Sequence, residues 1–228
     1  MKLSIVIPAY NEARTIGQVL HQVLSLDLPN IAQRKIIVVD DGSSDRTGEI
    51  ARSMGVVVVR HLLNRGLGGA LGTGIKMALR SGADVVVTFD GDGQHSPDDI
   101  GKIIEPIRMG RADVVIGSRM LDSDGMPWTR RVANRLANLI TWVLSGIKTT
   151  DSQSGLRAFS RSAAERIKIS TNHYEVSSEI CGEIGRNQLR LTEVPIKAIY
   201  TRHSMSKGQG FWTGLRTLYK LFLHKQVR

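Results

Sequence analysis

Cysteine is nearly absent: Cys181 is the only one in 228 residues. That excludes a disulfide framework and a cysteine-built zinc site, and it points to a reducing compartment. Aromatic residues make up only 5% of the chain. No stretch reaches the roughly 20 consecutive apolar residues that span a bilayer. The most apolar helical stretch, 132–147, is interrupted by Asn134, Arg135 and Asn138. Met1-Lys2 leads straight into a strand-like segment containing Pro8, without the apolar region of a signal peptide, so a cytosolic location is expected. Acid is missing where base is plentiful. Residues 194–228 hold seven Lys or Arg and no Asp or Glu, and residues 126–150 hold Arg130, Arg131, Arg135 and Lys148, again with no acid. Such a distribution, within a formal charge of +10, suits an anionic lipid surface or a phosphorylated substrate. No nucleic-acid-binding module is present, so no nucleic acid partner is expected.

What is present is an ordinary globular composition, 41% hydrophobic and 23% charged, in a chain long enough for one α/β domain with an appendage. Short apolar runs alternate with segments of helical periodicity. Strands are expected at Leu3–Ile7, Lys35–Val39, Val56–Arg60, Val85–Thr88 and Asp113–Gly117. Helices are expected from Ile16 to Leu24, up to Met54 with Ser43 or Ser44 as its cap, through Leu79, and over Pro97–Met109. This pattern predicts an α/β fold with a mostly parallel sheet and helices on both faces. The polar motifs fall just after the strands, where open α/β sheets bind ligands. Asp90-Gly91-Asp92-Gly93 sets two carboxylates among glycines, a suitable place for Mg²⁺ or Mn²⁺ and the diphosphate of a nucleotide. Asp40 or Asp41 would then face the base or ribose. The glycines from Gly66 to Gly74 satisfy neither the dinucleotide nor the P-loop fingerprint, and close helix packing accounts for at least part of them.

Four motifs in order, Ile7-Pro8-Ala9-Tyr10-Asn11-Glu12, Asp40-Asp41-Gly42-Ser43-Ser44-Asp45-Arg46-Thr47, Asn64-Arg65-Gly66 with the glycines after it, and Asp90-Gly91-Asp92-Gly93-Gln94, resemble the family 2 glycosyltransferases of the GT-A fold. The chain is similar, more narrowly, to the dolichyl-phosphate mannose synthase and polyprenyl-phosphate glucosyltransferase branch, over about residues 2–207. The resemblance implies that Pro8, Tyr10, Glu12 and Asp40 contact the nucleotide, and that Asp90, Asp92 and Gln94 hold the metal on the sugar-nucleotide diphosphate. It implies that Arg119 and Arg130 bind the acceptor phosphate, with Arg131 as the alternative to Arg130. Guanidinium groups suit that task because they grip phosphate oxygens bidentately and stay charged. Thr150-Asp151-Ser152-Gln153-Ser154-Gly155-Leu156-Arg157 resembles the family's acceptor-side segment. A phosphate acceptor is already largely ionised near neutral pH, so Asp151 is expected to orient or stabilise rather than abstract a proton. Arg202 and Lys207 match the basic loop that clamps the leaving diphosphate. The Q-x-x-R-W motif of polymerising relatives is missing.

The expected organisation is a catalytic domain over 1–208 and a basic amphipathic helix over 209–228. That helix presents Phe211, Trp212, Leu215, Leu218, Tyr219 and Phe222 on one face. It suits a peripheral position on an anionic membrane, with packing on the enzyme core or in a homodimer as the rival. The activity expected is metal-dependent, inverting transfer of one hexose from a GDP- or UDP-sugar to dolichyl or polyprenyl phosphate. Two alternatives stay open: a hydroxyl acceptor, with Asp151 as base, and a nucleotide-sugar-binding protein without catalysis.

Overall fold

The computed structural model describes residues 1–124, 126–172, 175–197 and 199. The segments that hold Arg202, Lys207 and the 209–228 helix lie outside the described residues.

The strands are β1 (Lys2–Ala9), β2 (Gln33–Asp40), β3 (Val57–Arg60), β4 (Val85–Thr88), β5 (Val114–Ser118), β6 (Arg157–Ser160) and β7 (Leu191–Pro195). The helices are α1 (Ile16–Ser25), α2 (Thr47–Ser53), α3 (Gly66–Arg80), α4 (Asp99–Arg108), α5 (Trp128–Ser145), α6 (Arg161–Arg166) and α7 (Val176–Arg186). The strands form one sheet in the order β3-β2-β1-β4-β6-β5-β7. β1 pairs in parallel with β2 and with β4, and β5 with β7. β6 alone runs antiparallel, wedged between β4 and β5.

Apolar side chains run almost without interruption along β1 because both of its faces are covered. Leu3, Ile5 and Ile7 enter a core with Ile16, Leu20, Ile100 and Ile103 from α1 and α4. Val6 points the other way and joins Ala70, Leu71 and Ile75 of α3, with Ile180 and Ile184 of α7. The split follows the two-residue period of a strand, and each fully buried aliphatic side chain contributes roughly 1.5–3 kcal/mol. Since β2 and β4 leave β1 on opposite sides, the chain switches direction there, and a crevice opens at the carboxyl ends of β1 and β4.

The α/β architecture and the helices on both faces agree with the sequence reading; the cap of α2 does not. Two glutamates of α7, Glu179 and Glu183, are spent on local structure. Glu179 accepts hydrogen bonds from the backbone and hydroxyls of Ser170 and Thr171, and Glu183 accepts from the Lys168 N–H at 3.1 Å, so both tie down the segment between the helices. Neither Ser43 nor Ser44 caps α2. The Asp45 carboxylate takes the Thr47 N–H at 3.0 Å, while both serines bond to Asn11.

Two glycines of α3, Gly68 and Gly74, are packing residues. A Cβ on Gly74 would run into the Val6 side chain, and one on Gly68 into the Thr171 carbonyl, whereas a Cβ on Gly72 would meet only Ile169 at 3.8 Å. Opposite signs follow for two identical changes. In urea denaturation, Gly74→Ala is expected to lose about 1–3 kcal/mol by overpacking, and Gly72→Ala to gain up to about 1 kcal/mol from helix propensity.

Candidate active site

The loops after β1 and β2 are laced into one unit. Pro8 pairs with Val39 and Ala9 with Asp40, so both strands end at one level. Beyond them, the Asn11 N–H donates to Ser43 Oγ at 3.0 Å, the Glu12 N–H to Thr47 Oγ1 at 2.8 Å, and the Ser44 N–H to Asn11 Oδ1 at 2.9 Å. Asn11 takes φ of 54°, a left-handed conformation that asparagine tolerates better than most residues. Thr15 Oγ1 reaches Glu12 Oε2 at 3.0 Å and the Gly91 carbonyl at 2.9 Å, which joins the loop after β4 to the other two. Tyr10 stands exposed on this rim.

Asp40 and Asp41 are spent largely on the fold. Asp40 is 1% exposed; its Oδ1 accepts the Ser43 N–H at 3.0 Å, and Arg60 approaches Oδ2 at 3.5 Å. Asp41 accepts the backbone N–H groups of Arg65 and Gly66 at 2.9 and 2.7 Å, and His61 Nδ1 lies 2.6 Å away. His61 passes the contact on to Thr73 Oγ1 at 3.0 Å. Asp41 thus anchors the start of α3, where two backbone N–H groups need acceptors.

Asp90 and Asp92 stand together at the end of β4. His95, buried against Phe89, has Nε2 3.2 Å from Asp90 Oδ2. Burial pushes the Asp90 carboxyl up, but the hydrogen bond and charge of His95, with Arg119 and Arg157 beyond, outweigh it and hold the group below the usual carboxylate range. Asp92 goes the other way. Burial and then the charge of Asp90 raise it, against bonds from the Gln94 backbone and side chain. Two carboxylates that oppose each other's ionisation are relieved by a shared cation. Two carboxylates fit Mg²⁺ or Mn²⁺ held with the other positions left to water and phosphate oxygens, and among the described residues no cluster of three or more acidic, histidine or cysteine side chains stands ready to hold a metal ion by itself. Gln94 stays beside them, its Nε2 donating to Asp92 Oδ2 at 2.5 Å.

The 149–155 segment closes the other side. Thr88 Oγ1 donates to the Gly155 carbonyl at 2.8 Å, and a Cβ on Gly155 would collide with the Asp90 carboxylate. Only glycine lets this backbone lie against Asp90. Asp151 is fully buried in a two-pronged pair with Arg119: Nε to Oδ2 at 2.7 Å and Nη2 to Oδ1 at 2.8 Å, with the Arg119 N–H also on Oδ2 at 3.0 Å. Both carboxylate oxygens are occupied by donors, a poor arrangement for taking a proton from a hydroxyl. Arg130 lies in the first turn of α5. Its neighbour Arg131 donates from Nη2 to the Ser123 carbonyl at 3.2 Å.

Three residues to which the sequence reading gave no role build this side, and a fourth, His61, serves the loop after β2. Glu193 Oε1, on β7, accepts from Thr149 Oγ1 at 2.6 Å, Thr150 N at 2.8 Å and Thr150 Oγ1 at 2.9 Å. Asn138 of α5 donates to the Thr150 carbonyl and accepts the Ser152 N–H at 2.8 Å. Arg157, 2% exposed, bonds the Ser152 carbonyl and Ser177 Oγ and faces Asp90 and Asp151, while its Nε has no partner among the described residues. His61 supports Asp41. Only Arg157 carried a sequence signal, its place at the end of the acceptor-side motif.

Residues 4–168 match glycosyl transferase family 2. The chain belongs to this family. The UDP-N-acetylglucosamine–dolichyl-phosphate N-acetylglucosaminyltransferase of Methanococcus voltae is 40% identical, over 97% of this chain and 95% of its own length. The polyprenol monophosphomannose synthase of Mycolicibacterium smegmatis is 31% identical over 90% of this chain and 80% of its own. Among solved structures, the glucosyl-3-phosphoglycerate synthase of Mycobacterium tuberculosis, in complex with Mn²⁺, UDP and glucosyl-3-phosphoglycerate, superposes with a TM-score of 0.72 at 21% identity, covering 98% of this chain and 79% of its own. That likeness establishes the GT-A fold of the present glycosyltransferase.

Two outcomes test the site's construction. Glu193→Ala leaves the Thr149 and Thr150 donors without their acceptor and should destabilise the chain by about 1–3 kcal/mol in urea titrations, while Glu193→Gln, which keeps an oxygen there, should lose less than half as much. Burial pushes the Cys181 thiol up to about 11. A thiol reagent at pH 8 should therefore leave the native protein unmodified and label one cysteine after denaturation.

Proposed function

We propose that this glycosyltransferase moves a single hexose, with inversion, from a nucleotide-diphosphate sugar to dolichyl or polyprenyl phosphate. The observation that carries the reading is the buried Arg119–Asp151 fork. A hydroxyl acceptor needs a base to remove its proton, and Asp151 is locked by donors on both oxygens. A phosphate monoester, with a second pKa of about 6, brings its own anionic nucleophile. The relatives named for dolichyl phosphate and polyprenol support the same acceptor class.

Pro8 and Asp40 at the strand ends, with Tyr10 and Glu12 in the loop after β1, would contact the nucleotide, and Asp90, Asp92 and Gln94 would hold Mg²⁺ or Mn²⁺ at the diphosphate. When bound, the cation neutralises charge on the departing nucleoside diphosphate. Arg119, steadied by Asp151, and Arg130 at the start of α5 place the acceptor phosphate for in-line attack at the anomeric carbon. Arg202 and Lys207 complete the reading as clamps on the leaving group. The two relatives are named for different sugars, so both GDP-mannose and UDP-N-acetylglucosamine are candidate donors. A lipid-linked acceptor puts the enzyme on the cytoplasmic face of a membrane as a peripheral protein.

The test offers radiolabelled GDP- and UDP-sugars and a short polyprenyl phosphate with Mg²⁺ or Mn²⁺. One label should enter the lipid phase, Asp92→Ala should lower the rate about a hundredfold or more, and Arg119→Ala should lose acceptor use while retaining nucleotide binding. Label appearing only as free sugar, or on a soluble hydroxyl acceptor, would overturn the lipid reading.

A further inference from the structure

The chain that leaves β7 runs from the end of β5 to the loop after β4, and it is tethered along the way. The parallel ladder between β5 and β7 ends at the pair Ser118 and Pro195. One residue on, the Ile196 N–H still reaches the Ser118 carbonyl at 3.1 Å. The Ile196 side chain is buried, and it packs so closely that a Cβ on Gly117 would stand 2.9 Å from its Cγ2. There the ladder is over, and the next backbone donor goes to a side chain. The Lys197 N–H donates to Asp99 Oδ2 at 3.2 Å, and the Ile199 N–H then donates to the Gln94 carbonyl at 2.9 Å.

Asp99 is a costly residue to spend on that donor. It lies in the first turn of α4 and is 2% exposed, and a carboxylate is expensive to bury unless donors surround it. Its other oxygen, Oδ1, takes Lys102 Nζ at 2.6 Å, from a side chain that is itself 55% exposed. The helix dipole accounts for an acid in the first turn. An acid kept for the dipole alone would stay in water, as its neighbour Asp98 does, whereas Asp99 turns inward onto the exit of β7. Gln94, at the other end of the tether, is held from both sides. Its N–H and Nε2 donate to the two oxygens of Asp92, at 3.0 and 2.5 Å, while its carbonyl receives Ile199.

We infer that Asp99 is a positioning residue: by holding Lys197 it keeps Ile199 on the Gln94 carbonyl, and so fixes both the loop that carries Asp92 and the point from which the basic segment with Arg202 and Lys207 departs. The inference rests on the proposed function, in which that loop and that segment hold the donor's diphosphate. Asp99 acts only through the backbone that it holds. From its Oδ2 the route passes along the chain to the Ile199 N–H, across to the Gln94 carbonyl, and through the Gln94 amides to Asp92. Arg202 follows Ile199 by three residues, a span of at most about 11 Å. Supports of this kind keep charged groups in place for a ligand before it arrives.

The test is calorimetric titration of the full chain in Mn²⁺ with GDP and UDP and with the matching monophosphates, GMP and UMP, so that its result is independent of turnover. What it reads is the ratio of diphosphate to monophosphate affinity for the base that binds. A change that merely unfolds part of the protein removes sites for both and leaves this ratio alone. Asp99→Ala should narrow the ratio about tenfold, chiefly by weakening the diphosphate. Asp99→Asn should keep most of it, because the amide oxygen still accepts the Lys197 N–H while the exposed Lys102 ammonium swings to water. Asp92→Ala is the reference and should also narrow the ratio. An unchanged ratio in Asp92→Ala would overturn the diphosphate reading and this inference with it. A ratio narrowed in Asp92→Ala but unchanged in Asp99→Ala would overturn the inference alone, as would an Asp99→Asn variant no better than Asp99→Ala.

Discussion

Everything around the crevice answers one electrostatic problem, the placement of Asp90 and Asp92 two residues apart at the end of a single strand. Two such carboxylates repel each other, and the protein distributes counter-charge to hold them. His95 contacts Asp90 directly, while Arg119 and Arg157 act from farther off. Among the described residues Asp92 receives amide donors from Gln94 besides the charge of His95, and burial with the charge of Asp90 outweighs them and raises its pKa. The two neighbouring carboxyls are thus shifted in opposite directions.

The same constraint explains why the 149–155 segment is so heavily braced. Arg119 serves both Asp90, at long range, and Asp151, in direct contact, so a small displacement of Asp151 would alter the field at the Asp90 carboxylate. Glu193, Asn138 and Arg157 approach the 149–152 backbone from a strand, a helix and the sheet interior respectively. Three supports from three elements leave that loop few ways to move, which is how an electrostatic site is preorganised. Glycine at 155 is the matching backbone concession, since any side chain there would displace the Asp90 carboxylate.

What the sequence made legible follows from how local each signal is. The strand ends of β1, β2 and β4 are marked by apolar runs that stop at Pro, Asp and Gly, so the residue pattern alone suffices to place their loops together. β6 was not legible. Arg157-Ala158-Phe159-Ser160 is four residues long and opens on a charge, and only its pairing of Phe159 with Val86 on one side and Val114 on the other makes it a strand. Glu193 and Asn138 lie 43 and 12 residues from Thr150, and nothing in their own neighbourhoods announces that they bond to it. Asp41 reads as a twin of Asp40 in sequence, yet its oxygens are claimed by the amides at the start of α3.

Helix α5 shows a different limit. Periodicity identifies the helix and both of its stripes, but it cannot say which stripe faces the protein. Hydrophobic burial favours the apolar side inward, and that rule fails here because the surface beneath α5 is polar backbone from 150–152 that needs donors and acceptors. Asn138 satisfies it on both counts, giving its amide N–H to the Thr150 carbonyl and taking the Ser152 N–H. Unpaired backbone groups under a Leu or Val would cost about 1–3 kcal/mol each, comparable to the gain from burying that side chain. The polar stripe is thus held inward by the loop it braces, and the apolar stripe turns outward as a consequence of how the 149–155 segment is built.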